Sequence, residues 1–227
     1  MNYPEVVRGS FIERHNRFVA SVLVGGEVQT CHVKNTGRCR ELLLPGAEVW
    51  LCPSDSPHRK TKYDLVCVNK AGRLINIDAQ APNRVFAEWA AAGKCPFGVP
   101  EVLIPERSFG SSRLDFYAEA FGRKIFIEVK GVTLEEGGVV RFPDAPTERG
   151  IKHMTELVRA VEAGYDAYAA FVIQMENVLY FEPNRVTHPQ FGQALEHAAA
   201  CGVGILAFDC HVTPDSLSPL NPVEVRL

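Results

Sequence analysis

Several features that would place the chain in a specialised class are missing from the sequence. Its 227 residues contain no apolar run of 18 or more, so no helix is predicted to span a membrane. The first 18 residues include acids and no apolar core, so we predict no signal peptide. Motifs of the GxxxxGK(S/T) and GxGxxG types are also missing, so nothing predicts a nucleotide cofactor.

Cysteine pairs are missing as well. The seven cysteines are an odd number without CxxC spacing, which favours reduced thiols in a cytoplasmic protein over a disulfide framework. Cys31 and His32, with Cys39 nearby, resemble part of a zinc site, but no fourth ligand is suitably spaced. Buried thiols beside a loop histidine are therefore the favoured interpretation.

Charge gives no global signal for nucleic acid, because the net charge is only −3. Its distribution is uneven, with 13 Lys and Arg against 9 Asp and Glu in residues 1–100, and 11 against 18 in residues 101–227. Such a difference suggests two modules, although chance variation in composition is a serious alternative.

The first part of the chain is predicted to be a small β-barrel. Short apolar runs joined by turns predict strands at residues 17–24, 27–33, 47–52, 63–69 and 74–79. Between the second and third lies a turn with at most one helical turn. Five strands in this order favour an OB-type barrel over an SH3-like one, and we assign it residues 1–82.

The pattern changes in residues 83–227. Helices are predicted at 83–93, 147–164 and 189–202, with Asn83 and Thr147 as N-caps, and strands at 112–121, 124–132, 166–174 and 203–212. The tail after Pro214 is rich in Pro and Ser and is expected to be irregular. The order predicts an α/β domain, α+β for the whole chain, with a mixed sheet flanked by helices.

The strand "KIFIEVKGV" carries two charges inside an apolar run. Because side chains alternate along a strand, Glu128 and Lys130 share the face opposite Ile127. A two-residue turn at 122–123 would set Asp115 opposite Lys130, and a turn one residue earlier would set it opposite Glu128. In either register the three charges meet on one face of a hairpin.

Two carboxylates beside a lysine predict metal-assisted phosphodiester hydrolysis. Carboxylates this close repel each other unless a cation bridges them, and hard oxygen ligands suit Mg²⁺ or Mn²⁺. The metal would activate water, and Lys130 would hold that water or stabilise charge on phosphorus. A solvated surface salt bridge is the alternative, and the apolar surroundings argue against it.

The motif of Asp115, twelve residues and Glu-Val-Lys resembles the PD-(D/E)XK nuclease signature. The segments "SSRLDFYAE", "IEVKGVTL" and "RFPDAPTERGIKHMTEL" resemble the sugar fermentation stimulation protein A family (SfsA) over nearly the whole chain. This resemblance implies an OB-like domain joined to a nuclease-like domain, DNA binding, and regulation of sugar metabolism, especially of maltose. Val33, Lys34 and Cys39 depart from the residues expected in the family.

The resemblance also implies further site residues. It places Asp115, Glu128 and Lys130 in the motif, matches Glu106 to an extra acidic metal ligand, and expects Gln174 to face the site. For Glu106 the alternative is an ordinary surface glutamate, and for Gln174 it is an ordinary end of a strand.

Basic residues are candidates for phosphate contacts. In the second domain they are Arg113, Arg149, Lys152 and His153, although an ion pair or a solvated helix face would also explain them. In the barrel the candidates for a single-strand groove are Arg14, Arg17, Arg38, Arg40, Arg59, Lys60 and Lys62. Phe18 and Trp50 are expected to pack in the core.

The sequence therefore predicts a cytoplasmic nucleic-acid-binding protein with a Mg²⁺-dependent nuclease site. Its expected partner is DNA, with RNA as a second option and no membrane, and a homodimer stays open. The alternative is a DNA-binding regulator without turnover, and a third option is an interaction module whose carboxylates form an ionic network.

Overall fold

The computed structural model describes residues 1–54, 59 and 61–227. The elements in chain order are β1 Val7–Arg14, β2 Val19–Val24, β3 Glu27–Val33, β4 Glu48–Pro53, β5 Tyr63–Lys70, β6 Arg73–Asn76, α1 Ala81–Ala91, β7 Val102–Phe109, β8 Ser112–Ala120, β9 Arg123–Val132, β10 Leu134–Glu136, β11 Val139–Phe142, α2 Glu148–Glu162, β12 Asp166–Ile173, β13 Tyr180–Pro183, α3 Pro189–Ala200, β14 Gly204–Thr213 and β15 Ser216–Pro222. In the described part of the chain, no helix is both long and apolar enough to cross a membrane.

The first six strands form one sheet that closes on itself. Their order is β3-β2-β1-β4-β5-β6, and β3 also pairs in parallel with β5, where Cys31 lies opposite Tyr63. Strands β1 to β5 thus close into a five-stranded barrel, and β6 extends β5 as a hairpin. This is the predicted OB-type architecture. The predicted helical turn between β3 and β4 is also present, because Leu43 N–H donates to Cys39 O.

Strand β1 is missing from the sequence-based prediction, whose first strand starts at residue 17. Only Phe11 in β1 is buried, so no apolar alternation marks this strand. The close approach of β2 requires a glycine, because a Cβ at Gly9 would lie 2.6 Å from Val22 Cγ1. Tertiary pairing decides the strand here.

The second sheet has the order β15-β14-β12-β9-β8-β7, and β9, β12 and β14 run parallel at its centre. Helices α2 and α3 pack on the face that carries Phe126 and Phe171, and α1 packs on the face that carries Ile125 and Ile127. This is the predicted mixed sheet with helices on both faces.

The irregular tail is a wrong prediction. Residues 216–222 form β15, an edge strand antiparallel to β14. Pro219 and Pro222 suppress the strand signal in the sequence, but an edge strand needs few of its N–H groups and therefore tolerates proline. Strands β7, β10, β11 and β13 are likewise absent from the prediction, and the last three form a small separate sheet.

The β8–β9 hairpin fixes which residues face each other at the predicted site. Ala120 pairs with Arg123 and Phe116 with Ile127, so the turn consists of Phe121 and a glycine, both with positive φ. The register that sets Asp115 opposite Lys130 is therefore wrong, and the alternative one holds.

Helix starts differ in how well the sequence marks them. Thr147 is confirmed as the N-cap of α2, since its Oγ1 accepts a bond from Gly150 N–H at 3.0 Å. Asn83 is a wrong prediction as the cap of α1, because that helix begins earlier, after Gln80, with Pro82 in its first turn. Asn83 is left free to make a tertiary contact.

Replacing Thr147 with Ala should lower the free energy of unfolding by about 1 kcal/mol, because the first turn of α2 loses its acceptor. Denaturant unfolding measures the change. Thr147→Ser keeps a hydroxyl and serves as the matched control, and equal losses in both variants would contradict the capping role.

Candidate functional site

Glu128 is the centre of the candidate site. It lies in the middle of β9 and is only 1% exposed. Its Oε1 accepts short hydrogen bonds from Lys130 Nζ and from His153 Nδ1, which reaches it from α2. Burial raises the pKa of Glu128, but the bond from His153 and the charge of Lys130 outweigh it, so the pKa lies below its usual value. The carboxylate is therefore held ionised inside the core.

The second oxygen of Glu128 has no protein partner. Within the described residues, Oε2 is buried and receives no hydrogen bond. Leaving a buried carboxylate oxygen unpaired costs free energy, and native structures rarely do so without a functional reason. An oxygen of this kind is suited to a cation.

Asp115 lies beside Glu128 where the β8–β9 ladder ends. Its Oδ2 accepts from Val129 N–H at 2.8 Å, and its Oδ1 accepts from Asn83 Nδ2 at 3.0 Å. Burial and the negative charge of Glu128 raise the pKa of Asp115 above its usual value. The two carboxylates therefore have pKa values shifted in opposite directions, and a cation between them would relieve their repulsion.

The residue Asn83 was not predicted to take part in the site. It stands in the first turn of α1 and orients Asp115 through its amide group. Only a polar residue early in a helix marks it in the sequence, and that signal is equally typical of a cap.

Lys130 connects the buried carboxylates to a cavity of about 230 Å³ between the two domains. One wall is the barrel loop that consists of Asn35, Thr36 and Gly37. The opposite wall consists of the end of β9 and the start of α2. Residues from both domains therefore surround the approach to Lys130.

Gln174 lines this cavity, but its amide group is already engaged. Its Nε2 donates to Asn76 Oδ1 at 2.8 Å and to Asp78 O at 3.0 Å, both in the barrel domain. Asp78 also accepts from Lys34 Nζ at 2.9 Å. Gln174 therefore ties the end of β12 to the barrel.

The Pro-Asp pair at 143–144, which follows the motif strand, has a structural role at the same cavity. Asp144 Oδ2 accepts from Cys39 N–H at 3.2 Å. It thus joins the segment before α2 to the barrel loop, a contact that the sequence does not signal.

The prediction that His153 contacts phosphate is wrong. Its side chain is buried against Glu128, and its Nε2 accepts from Arg149 Nε at 3.4 Å. The helix pattern places His153 at the edge of the polar face, whereas the packing of α2 on β9 turns it inward. Arg149 and Lys152 remain exposed, and Lys152 Nζ donates to Ser111 O at 3.0 Å.

Glu106 lies across from Asp115 on β7, where the β7–β8 ladder is irregular and its own φ is 55°. Its exposed carboxylate lies 3.5 Å from Arg113 Nη1 and forms an ion pair with it. Among the described residues, no group of three or more His, Cys, Asp or Glu side chains could hold a metal ion. Glu106 therefore stands next to the site without joining it.

The barrel arginines divide into two kinds. Arg14 donates from both terminal nitrogens to the carbonyls of Arg17, Asn35, Gly37 and Arg38, so its predicted phosphate contact is wrong. Its donors instead hold the loop in place. Arg17, Arg38 and Arg40 are exposed, and Lys60 lies outside the described residues.

Two further barrel predictions have opposite outcomes. Phe18 is 48% exposed, so the prediction that it packs in the core is wrong, whereas Trp50 does pack against a core cluster. Cys31 and Cys39 are buried thiols, as favoured, and His32 Nδ1 lies 3.0 Å from Asp64 Oδ1.

Comparisons with known proteins cover both domains. The family model described as "Sugar fermentation stimulation protein RE domain" matches residues 80–216, and that described as "SfsA N-terminal OB domain" matches residues 12–77.

Similar proteins extend over the whole chain. Proteins named sugar fermentation stimulation protein homolog are 56% identical in Desulfitobacterium hafniense strain Y51 and 51% identical in Clostridium beijerinckii, over all of this chain and at least 99% of theirs. The structure of Pyrococcus furiosus SfsA in complex with Ca²⁺ has a TM-score of 0.91 at 27% identity, covering 100% of this chain and 98% of that one.

Replacing His153 with Ala should lower the free energy of unfolding by about 1–3 kcal/mol in EDTA, because the buried Glu128 carboxylate loses a donor. Denaturant unfolding near neutral pH measures the loss. The same substitution in a Glu128→Gln background creates the same cavity without the charge, so it should cost less. An equal loss in both backgrounds would rule out the hydrogen bond as the cause.

Proposed function

This chain belongs to the sugar fermentation stimulation protein family, SfsA, and we propose that it binds nucleic acid and hydrolyses its phosphodiester bonds at a divalent-metal site. The observation that carries the proposal is the buried Glu128 carboxylate. Lys130 and His153 hold one oxygen, the other is unpartnered, and Asp115 lies next to it.

The residues present fit Mg²⁺ or Mn²⁺ in kind. Glu128 Oε2 and Asp115 offer two hard oxygen donors, and Mg²⁺ is commonly held by one or two carboxylates together with waters and substrate phosphates. A complete cage of protein ligands is therefore not needed. The relative from Pyrococcus furiosus is described as a complex with Ca²⁺, which supports the binding of a divalent cation by this chain. Glu106 would assist only after its ion pair with Arg113 opens.

The chemistry that such a cation supplies when bound is polarisation of a phosphate oxygen and a lowered pKa for bound water. The chain's own residues have separate tasks. His153 keeps Glu128 ionised and oriented, and Asn83 orients Asp115. Lys130 Nζ, at the cavity, would hold the attacking water or offset charge that develops on phosphorus.

Nucleic acid is the substrate class because exposed basic groups surround the cavity. Arg149 lines it, and Lys152 is exposed on the same helix. Arg38 and Arg40 line an adjoining cavity that shares Asp144 with it. Such groups bind phosphates irrespective of base sequence. DNA is the proposed partner, with RNA as the second option, and Gln174 would face the bound strand from the end of β12.

A nucleic-acid-binding regulator without turnover is the second candidate. One observation favours it: Lys130 Nζ is bonded to Glu128, whose side chain is almost fully buried, so the site is closed in this form. Regulation of sugar metabolism, which the names of the relatives suggest, would fit this candidate.

Asp115→Ala and Glu128→Gln should each reduce Mg²⁺-dependent cleavage of labelled DNA and RNA by about 100-fold or more, because each removes the negative charge of a ligand carboxylate. Gel assays on single- and double-stranded substrates measure the rates. Glu119 lies on the same face of β8 as Asp115 and accepts a hydrogen bond from Tyr117 Oη. Glu119→Gln is therefore the matched control. Equal cleavage by wild type and Asp115→Ala would favour the regulator.

Mn²⁺ should raise the melting temperature of the wild type more at neutral pH than at acid pH. The raised pKa of Asp115 means that the folded state keeps this proton to a higher pH than the unfolded state. Stability without metal therefore falls as the pH rises through that interval, and a cation that binds only the ionised form compensates.

Differential scanning fluorimetry across a pH series measures the shift. Glu128→Gln should abolish it at every pH. A shift of equal size in this variant would place the cation elsewhere.

A further inference from the structure

The exposed ring of Phe18 belongs to an ordered cluster on the barrel surface. The His32 ring stacks on it with centroids 6.4 Å apart and an interplanar angle of 27°, and Arg17 Cζ lies 5.8 Å from its centroid. A single exposed apolar side chain needs no explanation, but an exposed aromatic beside an imidazole and a guanidinium has the composition of a base-stacking surface.

Hydrogen bonds fix the backbone of Phe18 and the ring of His32 in this cluster. Phe18 N–H donates to Asn16 Oδ1 at 2.9 Å, and Phe18 O accepts from Val33 N–H at 2.8 Å. His32 Nδ1 donates to Asp64 Oδ1 at 3.0 Å, which orients the imidazole. A backbone and an imidazole fixed in this way lose little conformational entropy when a base stacks on the two rings.

A basic groove begins beside the cluster. Its volume is about 600 Å³, and it is lined by Arg17, Arg38 and Arg40 among others, with no acidic side chain among its lining residues in the described chain. Arg14 holds the loop that carries Arg38, through bonds to three of its carbonyls. The positive charges are therefore preorganised.

The groove leads towards the metal site. Thr36 and Gly37 line both the groove and the smaller cavity that contains Lys130. A strand that lies in the groove would thus pass between the domains and reach the carboxylates.

We propose that Phe18 and His32 form a stacking platform for an unpaired base, and that single-stranded nucleic acid follows Arg17, Arg38 and Arg40 from it towards Lys130. A duplex cannot use the platform, because its base faces are already stacked on each other. The delivery of this strand to a cleavage site rests on the proposed function, whereas binding at the platform does not.

Binding of a fluorescein-labelled oligo-dT or oligo-U single strand in EDTA tests the platform apart from cleavage. Phe18→Ala should weaken binding by about ten- to a hundred-fold, and Phe18→Trp should keep it, because indole also stacks. Phe121→Ala removes an even more exposed ring from the β8–β9 turn and should bind like the wild type. Melting temperatures check that each variant is folded.

The logarithm of the binding constant falls linearly with the logarithm of the salt concentration, and Arg38→Ala should make this slope less negative by about 0.7. Arg84→Ala, an exposed arginine on α1, should leave the slope unchanged.

Equal affinity of wild type and Phe18→Ala, equal losses for single strand and duplex, or no single-strand binding by the wild type would overturn the proposal. If the platform proposal fails, cleavage by the wild type and the loss of cleavage in Glu128→Gln are still expected. Conversely, loss of binding in Phe18→Ala without cleavage of any substrate supports the platform and refutes the nuclease. The two proposals are therefore separable.

Discussion

The site depends on the pair of short hydrogen bonds that Lys130 and His153 donate to a single oxygen of Glu128. A lone carboxylate in the middle of an apolar sheet would be protonated or would destabilise the fold, and the two donors prevent both. They also leave the other oxygen unpartnered, and the proposed cation would bind there. The packing of α2 on β9 is thus inseparable from the chemistry, because α2 supplies His153.

The same constraint explains why the barrel belongs to the site. The cavity at Lys130 is closed on one side by the barrel loop, which Arg14 and Asp144 hold from opposite domains. Gln174 adds a second link through its bonds to Asn76 and the backbone of the same segment. These buried polar contacts between the domains fix the width of the cavity. In the proposed function, the barrel would therefore position the nucleic acid as well as bind it.

Local patterns carried much of the fold. Alternation put Glu128 and Lys130 on one face of β9, and the Thr147 hydroxyl marked the start of α2, because both signals depend on neighbours within a few residues. The misses share a cause. Strand β1 buries only Phe11, and β15 contains two prolines, so their pairing partners, which are remote in sequence, decide them. The hairpin register likewise stayed undecided until the turn at Phe121 was known.

By itself, the sequence determined the domain order, the helices and strands with strong periodicity, and the carboxylate-lysine motif. Tertiary structure alone decided that His153 turns inward to Glu128, that Asn83 reaches Asp115, and that Arg14 serves the loop. It also decided that Phe18 lies at the surface. The physical reason is range: periodicity reports which face of its own element a side chain takes. What covers that face depends on elements distant in the chain, through packing and hydrogen bonds that no local pattern encodes.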